Sequence, residues 1–277
     1  TIADAGQDVG DAGYVNNVNG GQDPALDVGN VNHAIDNERV YSLDVDGFEV
    51  IRGGFVVSED ELKALKRHAM TMVPETDVIF NNAAADDEAN DKRRSQVEFK
   101  RFIGTDVMMA RMHERLNGML LELYPSLKPN DMVILRSDPG CADQRSHTDY
   151  TWQDWRRRQQ QGQTKRPKCS NKMVDAKVPL ACVAAVMPST YFDLWPGAIN
   201  CFDGVKDGRV FSHLRLVLNP GDLLIFRGDL VHAGAGFDLF NIRIHTYLDA
   251  MGVHRTKDTT FYMDAEAGCN YILPRAI

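Results

Sequence analysis

His147 and Asp149 are two potential metal ligands of different chemical type, separated by one residue. In an extended segment, residues i and i+2 point to the same side of the chain, so this imidazole and this carboxylate can reach one ion. A third ligand has to come from another segment. Two histidines and one carboxylate on one face of a metal leave coordination positions open for other molecules. Taken alone, the pair also fits an ordinary surface loop.

His232 is a candidate for the third ligand. A turn and an apolar run at 221–226 predict a buried strand, and the chain continues to His232, Ala233 and Gly234. A strand that ends in a histidine followed by small residues places an imidazole at the mouth of a sheet. For this residue alone, a core histidine with satisfied hydrogen bonds is the alternative.

Arg243 lies eleven residues after His232, between two isoleucines in the apolar segment 241–245. Its side chain therefore points to the opposite face of a strand from those isoleucines. Arginine is rarely buried unless it is paired, and its planar guanidinium suits a carboxylate held by two hydrogen bonds. A solvent-facing arginine on an edge strand is the alternative interpretation.

The segments that must position these residues predict helices first and strands afterwards. Ser58 and Glu61 form a capping box ahead of a helix, and 106–123 carries apolar residues on one helical face. We predict a short strand and turn at 48–57 and a loop at 81–94. Short apolar segments then predict an antiparallel β-sandwich or barrel, at 132–135, 178–187, 210–218, 222–226 and 242–248.

Charge is distributed unevenly along the 277 residues, which carry a net charge of −8. Residues 1–38 contain seven acidic residues and no lysine or arginine, and their Gly, Asp and Asn content predicts a flexible arm. We expect a single domain at 39–277. Residues 156–177 contain eight basic residues and one acidic residue, and we interpret them as a basic insertion. A generally basic nucleic-acid-binding surface is not expected.

Cysteine usage and hydropathy favour an intracellular protein, in the cytoplasm or nucleus. The five cysteines show no CxxC spacing, so neither a disulfide framework nor a zinc ribbon is indicated and reduced thiols are favoured. No apolar run reaches the roughly 18 residues of a membrane-spanning helix. Residues 1–20 lack the basic and apolar regions of a signal peptide.

The order of the four site residues resembles the Fe(II)/2-oxoglutarate-dependent dioxygenase superfamily. The resemblance covers about residues 41–251 and is specific at the site residues and the 221–234 segment. It implies an α+β fold with a double-stranded β-helix core, of jelly-roll or cupin-like form, and N-terminal supporting helices. It also implies that His147, Asp149 and His232 are the catalytic iron ligands and that Arg243 binds the C5 carboxylate of 2-oxoglutarate.

Two features depart from the superfamily pattern. Asp149 and His232 are 83 residues apart, a long interval that the basic segment 156–177 partly explains. In addition, His245 stands two residues after Arg243, where the superfamily often has Ser or Thr. His245 could replace that contact, or Thr246 could supply it after a local distortion. His245 and Arg136 are the next candidates for binding the co-substrate.

The resemblance implies an enzyme that uses Fe(II), 2-oxoglutarate and O₂, with ascorbate as a candidate reductant, and releases succinate and CO₂. Hydroxylation of an organic substrate is expected, or a demethylation or desaturation that begins in the same way. Because the carboxylate position is Asp149 and not Ala or Gly, a halide-bound iron is not expected.

Several substrate classes remain open, and so does a metal-binding protein without enzymatic activity. Asp249 stands where AlkB-like enzymes have a second Arg, and Arg243 stands where enzymes similar to collagen prolyl hydroxylases have Lys. TET/JBP-like enzymes acting on nucleic-acid bases and small-molecule hydroxylases resembling the phytanoyl-CoA group remain. A cupin-like metal-binding barrel without activity is the alternative, and it would assign no role to Arg243.

Candidate substrate contacts surround the HxD motif. Arg145 precedes it, and Tyr150 and Trp152 follow it, where aromatic rings could stack on a flat substrate or serve as packing residues. The basic segment 156–177 could bind a small-molecule or acidic substrate, or it could be a solvated loop. A nucleic-acid partner is not favoured. Residues 92–94 form a smaller basic cluster.

Overall fold

The structure is a computed structural model that describes residues 40–73, 93–149, 179–199, 201, 210–250, 261–264 and 270–271. In these ranges the chain forms three helices and twelve strands. The acidic arm predicted at 1–38 and the basic insertion predicted at 156–177 lie outside the described residues. The division into an arm and one domain therefore stays a prediction.

The described strands form two six-stranded sheets with antiparallel pairing. The first sheet has the order β1-β8-β5-β10-β3-β2 and the second has the order β12-β11-β4-β9-β6-β7. The members of the first sheet are β1 (Phe48–Ile51), β2 (Arg94–Glu98), β3 (Leu127–Ser137), β5 (Leu180–Ala185), β8 (Leu223–Arg227) and β10 (Asn241–Ala250). Those of the second are β4 (His147–Thr148), β6 (Thr190–Leu194), β7 (Leu214–Leu218), β9 (His232–Gly234), β11 (Phe261–Asp264) and β12 (Asn270–Tyr271).

Two apolar layers hold the sheets and helices together. The layer between the sheets combines side chains of both, among them Phe48, Val183, Phe226, Phe192 and Leu218. The second layer packs the helices against the outer face of the first sheet, through residues that include Leu65, Met109, Leu116, Ile134 and Ile244. Because β5 and β8 contact both layers, every residue in them is buried and their sequences are almost uniformly apolar.

Helix α1 (Glu59–Ala69) begins with the predicted capping box. The Ser58 hydroxyl accepts a hydrogen bond from the Glu61 amide, and the Glu61 carboxylate accepts one from the Ser58 amide at 2.8 Å. A short helix, α2 (Lys100–Ile103), precedes α3 (Val107–Leu123), which matches the prediction at 106–123. The Asp106 side chain caps α3 by accepting from the Met108 and Met109 amides. Local sequence therefore determines where both long helices begin.

The loop prediction at 81–94 is wrong at its last residue, and the three basic residues at 92–94 do not share one environment. Arg94 begins strand β2 and is 1% exposed, while Arg93 is exposed and Lys92 lies outside the described residues. The buried guanidinium donates to the carbonyl oxygens of Ala235 at 2.8 Å and Gly234 at 3.3 Å. Backbone carbonyls at the end of β9 thus bind a guanidinium of the first sheet and join the two sheets.

Two simpler expectations concern membranes and cysteines. Within the described part of the chain, no helix has the length and apolar character needed to cross a membrane. Cys141, Cys182 and Cys201 are buried free thiols. The remaining two cysteines fall in ranges that are not described.

Asp106 joins α3 to α1 and should make stability sensitive to acid. Burial raises the pKa of its carboxyl, but hydrogen bonds from His68 and Arg67 and from the two capping amides outweigh this effect and lower the pKa to about 2. An aspartate whose pKa is lowered by folding stabilises the protein at pH values above its pKa in the unfolded chain, ~3.9. This stabilisation is lost as the pH falls through the folded-state pKa of about 2.

We predict that Asp106→Ala lowers the free energy of unfolding by about 1–2 kcal/mol at neutral pH, because the helix loses its cap. Asp106→Asn keeps a capping oxygen and should lose less. Urea denaturation followed by circular dichroism measures both variants. The difference between wild type and Asp106→Asn should shrink as pH falls from ~4 to ~2. A difference independent of pH would contradict the ionic role of Asp106.

Candidate metal centre and carboxylate site

Three buried side chains from two neighbouring strands converge on one point. Strand β4 pairs with β9 so that His147 lies directly opposite His232, and Asp149 follows the end of β4. One ligand atom from each of the three residues lies within 4.8 Å of the other two. All three residues are 3–4% exposed. The spacing predicted from HxD and the distant histidine is therefore realised as a cluster that can hold a metal ion.

Backbone carbonyls orient both imidazoles toward that point. His147 Nδ1 lies 2.7 Å from the Arg145 carbonyl oxygen, and His232 Nδ1 lies 2.9 Å from the Leu230 carbonyl oxygen. A carbonyl oxygen can only accept, so each Nδ1 carries the proton and donates it. Each Nε2 then keeps its lone pair for a metal. Such contacts to the second nitrogen are usual for histidine ligands and fix the ring orientation.

The electrostatics favour a neutral His147 imidazole beside a charged Asp149 carboxylate. Burial, followed by the neighbouring His232, lowers the pKa of His147 to about 4. Burial alone would raise the pKa of Asp149, but His232 and His147 hold it well below its ordinary value. Asp149 Oδ1 lies 3.5 Å from His232 Nε2, whereas buried Oδ2 has no hydrogen-bond partner in the described structure. A metal ion would satisfy this carboxylate, and a set of two imidazoles and one carboxylate suits Fe(II) or Zn(II).

A cavity of about 140 Å³ opens beside the three ligands. Strands of both sheets form its walls. The first sheet contributes side chains of β2, β3, β8 and β10, and the second contributes those of β4, β6 and β9. Apart from the three ligand residues, the described residues that line it are Gln96, Glu98, Asp131, Val133, Leu135, Gln144, Phe192, Phe226, Gly234, Arg243, His245 and Tyr247.

Arg243 lines this cavity and is 2% exposed. Its Nη1 donates to the Ser137 hydroxyl at 3.0 Å, its guanidinium carbon lies 5.3 Å from the Phe237 ring centre, and its Nε has no hydrogen-bond partner. Burial, and then the nearby Arg94, lower its pKa to about 9. Among the described residues no carboxylate pairs with it. Because an unpaired buried charge is costly, the arrangement suits an anionic ligand.

The structure places the other two co-substrate candidates on opposite faces. His245 lines the cavity two residues from Arg243, with its ring edge against Tyr247 at 4.5 Å between ring centres. Arg136 faces the helices instead: it donates to the Asp138 carboxylate at 2.8 and 3.0 Å and to the Ala69 carbonyl. Arg136 therefore does not line the cavity beside the candidate metal ligands, and the prediction that it could bind the co-substrate finds no support in its position.

The remaining candidates contribute less or cannot be placed. Arg145 positions His147 through its backbone carbonyl, and its side chain is not among the described cavity residues. The Thr246 hydroxyl donates to the Asn130 carbonyl at 3.0 Å, so it does not replace the contact expected at position 245. Tyr150 and Trp152 lie outside the described residues.

Three residues near the site were not predicted from the sequence. Ser137 binds Arg243, Gln144 accepts from the Gly234 amide at 3.0 Å, and Arg94 approaches both Gly234 and Arg243. A side chain at position 234 would collide with Gln144, so the glycine permits this contact. The small residues after His232 indicated close packing at that point of the chain. The sequence did not indicate that Gln144 is the residue packed against them.

We predict that His147→Ala, Asp149→Ala and His232→Ala each weaken binding of a divalent metal by about tenfold or more, since each removes one of three ligands. Metal content after Fe(II) loading and dialysis, determined by mass spectrometry, measures the effect. His113→Ala on α3 removes an imidazole outside the cluster and serves as the control. Full metal retention in any of the three variants would remove that residue from the ligand set.

Known proteins resemble this chain in fold. No protein-family model and no curated protein matches its sequence. The solved structure of HygX from Streptomyces hygroscopicus, with nickel and 2-oxoglutarate bound, has a TM-score of 0.50 and 14% identity, and the match covers 83% of this chain and 93% of HygX. AviO1 from Streptomyces viridochromogenes Tue57 has a TM-score of 0.50 and 13% identity, with coverages of 77% and 94%. Together with the two facing sheets, these matches confirm the predicted double-stranded β-helix core with helices ahead of it.

Proposed function

We propose that the chain is an Fe(II)- and 2-oxoglutarate-dependent oxygenase that hydroxylates, or oxidatively demethylates, an organic substrate. One observation carries this proposal. A single cavity contains both the buried cluster of His147, Asp149 and His232 and the buried guanidinium of Arg243, which has no carboxylate partner among the described residues. A metal ion and a carboxylate-bearing ligand would together satisfy both groups.

The iron-binding and carboxylate-binding residues are placed in a way that suits the two ends of 2-oxoglutarate. The two Nε2 atoms and the Asp149 carboxylate would hold iron, and the positions they leave open would receive the 2-oxo acid end of the co-substrate. Arg243 would pair with the carboxylate at the other end. HygX, which shares the fold, was solved with nickel and 2-oxoglutarate bound. That observation is compatible with the same ligand here.

Bound iron would supply the activation of O₂, and the protein would supply position and charge. In the overall reaction, 2-oxoglutarate, O₂ and a substrate C–H group give succinate, CO₂ and a substrate C–OH group, with one oxygen atom in succinate and one in the product. Ascorbate would keep the iron reduced. The buried position of the three ligands keeps bulk water away from the reacting atoms.

A metal-binding barrel without catalytic activity is less well supported. Such a barrel requires the three ligands but no cation beside them, and a buried unpaired guanidinium would only destabilise it. The position of Arg243 in the same cavity therefore favours an enzyme.

The direct test incubates the protein with Fe(II), ascorbate, 2-oxoglutarate and O₂ and measures succinate, first alone and then with a panel of candidate substrates. Succinate formation that the metal-ligand variants abolish supports the proposal. Absence of 2-oxoglutarate turnover and binding by the iron-loaded protein would overturn it.

We predict that Arg243→Ala raises the KM for 2-oxoglutarate by about tenfold or more while metal content is retained. The reason is the loss of charge-assisted hydrogen bonds, worth about 1.5–3 kcal/mol. Arg136→Ala removes a guanidinium from the opposite face of the same sheet and is the matched control. An unchanged KM in Arg243→Ala would place the co-substrate carboxylate elsewhere.

The basic segment 156–177 is proposed to attract an anionic substrate, because its first residue comes seven positions after Asp149 and its charge contrasts with an acidic protein. We predict that replacing Arg156, Arg157, Arg158, Lys165, Arg166 and Lys168 with Gln leaves substrate-independent succinate formation intact. Turnover of the true substrate should fall, most steeply at low salt, since salt screens such attraction.

Equal turnover at every ionic strength would show that the substrate need not be anionic. Salt-dependent binding of DNA or RNA that is lost in the same variant would instead favour an oxygenase acting on nucleic-acid bases.

A further inference from the structure

Ser137 lies at the end of β3 beside Arg243 and is completely buried. In the register of the first sheet, Ser137 is opposite Asn241 of β10 on one side and Arg94 of β2 on the other. Ser137 and Arg243 are therefore diagonal neighbours on adjacent strands, within reach of each other across the same face. The serine hydroxyl accepts from Arg243 Nη1 at 3.0 Å.

This contact determines which edge of the guanidinium remains available. Arginine offers five N–H donors in a rigid planar fork, and a carboxylate is held best when two parallel donors point at its two oxygens. With Nη1 engaged by Ser137, the edge formed by Nε and Nη2 remains for a ligand. Nε is buried and has no partner, and no hydrogen bond of Nη2 to a described residue exists.

The residue at position 245 cannot provide a hydroxyl for such a contact in this chain. A hydroxyl often stands at that place in the superfamily that the sequence resembles, whereas this chain has His245, whose ring packs edge-on against Tyr247. Thr246 directs its hydroxyl to the Asn130 carbonyl. Of the hydroxyl groups in the described residues, it is the one on Ser137 that contacts Arg243.

We propose that Ser137 is the positioning residue for co-substrate binding: it holds Arg243 so that the Nε–Nη2 edge binds the distal carboxylate of 2-oxoglutarate through two hydrogen bonds. This inference rests on the proposed function. It assigns the contact with the arginine to a side chain of the neighbouring strand, and it leaves His245 for other contacts in the cavity.

Titration calorimetry on the Zn(II)-loaded protein tests the inference without turnover, because Zn(II) has no redox chemistry. The two probes are 2-oxoglutarate and 2-oxopentanoate, in which a methyl group replaces the distal carboxylate. Ser137→Ala should weaken 2-oxoglutarate binding by about threefold to tenfold, the loss expected for one hydrogen bond. Its affinity for 2-oxopentanoate should stay unchanged, so discrimination between the probes should fall by the same factor.

Ser95→Ala is the matched control, since Ser95 is also completely buried, lies on the adjacent strand and has a hydroxyl without a hydrogen-bond partner. Ser137→Thr retains a hydroxyl and should restore discrimination, and Ser137→Cys, close in size but a weak acceptor, should not. If Ser137→Ala does not fold, the comparison of Ser137→Thr with Ser137→Cys tests whether the hydroxyl at position 137 is required for discrimination between the probes.

Two results would overturn the inference alone: wild-type affinity for 2-oxoglutarate in Ser137→Ala, or an equal loss for both probes. Equal loss would mean that Ser137 only supports the fold. Failure of the wild-type protein to bind 2-oxoglutarate would overturn the proposed function together with the inference.

Discussion

The pairing of β4 with β9 places His147 opposite His232, and the candidate metal centre depends on that register. Side chains directly opposite each other on antiparallel strands point to the same face and lie about 5 Å apart, a suitable separation for two ligands of one ion. The two strands are short, so hydrogen bonds beyond them matter. The Asp149 amide donates to the Gly228 carbonyl, and the Gln144 amide donates to the Gly234 carbonyl. A slip by one residue would turn one imidazole to the outer face.

The same end of the molecule concentrates positive charge away from water. Arg94 and Arg243 are both buried, and the charge of Arg94 makes ionisation of Arg243 less favourable. Carbonyl oxygens of the second sheet stabilise Arg94, whereas Arg243 has a hydroxyl and an aromatic face. Folding therefore leaves one guanidinium incompletely compensated, and a ligand that binds the folded state would recover part of that free energy. A carboxylate of the proposed co-substrate has the charge and shape that fit.

Residue types and their order indicated which side chains lie together around the cavity more clearly than they indicated the strands that carry them. A capping box and a helical apolar face are local signals, so α1 and α3 were found close to their observed ends. Strands β2, β4 and β9 are two to five residues long and carry polar side chains, so no periodicity marked them. The contrast between Arg136 and Arg243 shows what the sequence could not predict, namely the face of the sheet on which each arginine lies. Both arginines lie in apolar strands, and only the pairing of β3 with β10 determines that they face opposite sides.

The charge of the cavity wall changes from positive to negative along the first sheet, and this change restricts the charge of the substrate that the cavity favours. Beyond Arg243 and His245, a β-bulge places Asp131 and Met132 of β3 opposite the single residue Thr246, and Asp131 adopts a positive φ of 49°. Asp131 and Glu98 line the cavity there, and Glu98 also pairs with Lys100 at 2.6 Å. The proposed dianionic co-substrate would thus be drawn to the arginine end and repelled from the carboxylate end. Once the co-substrate carboxylate occupies Arg243, the described residues at the other end of the cavity favour a neutral or cationic group over an anionic one. The proposed attraction of an anionic substrate therefore rests on the sequence of the basic segment 156–177.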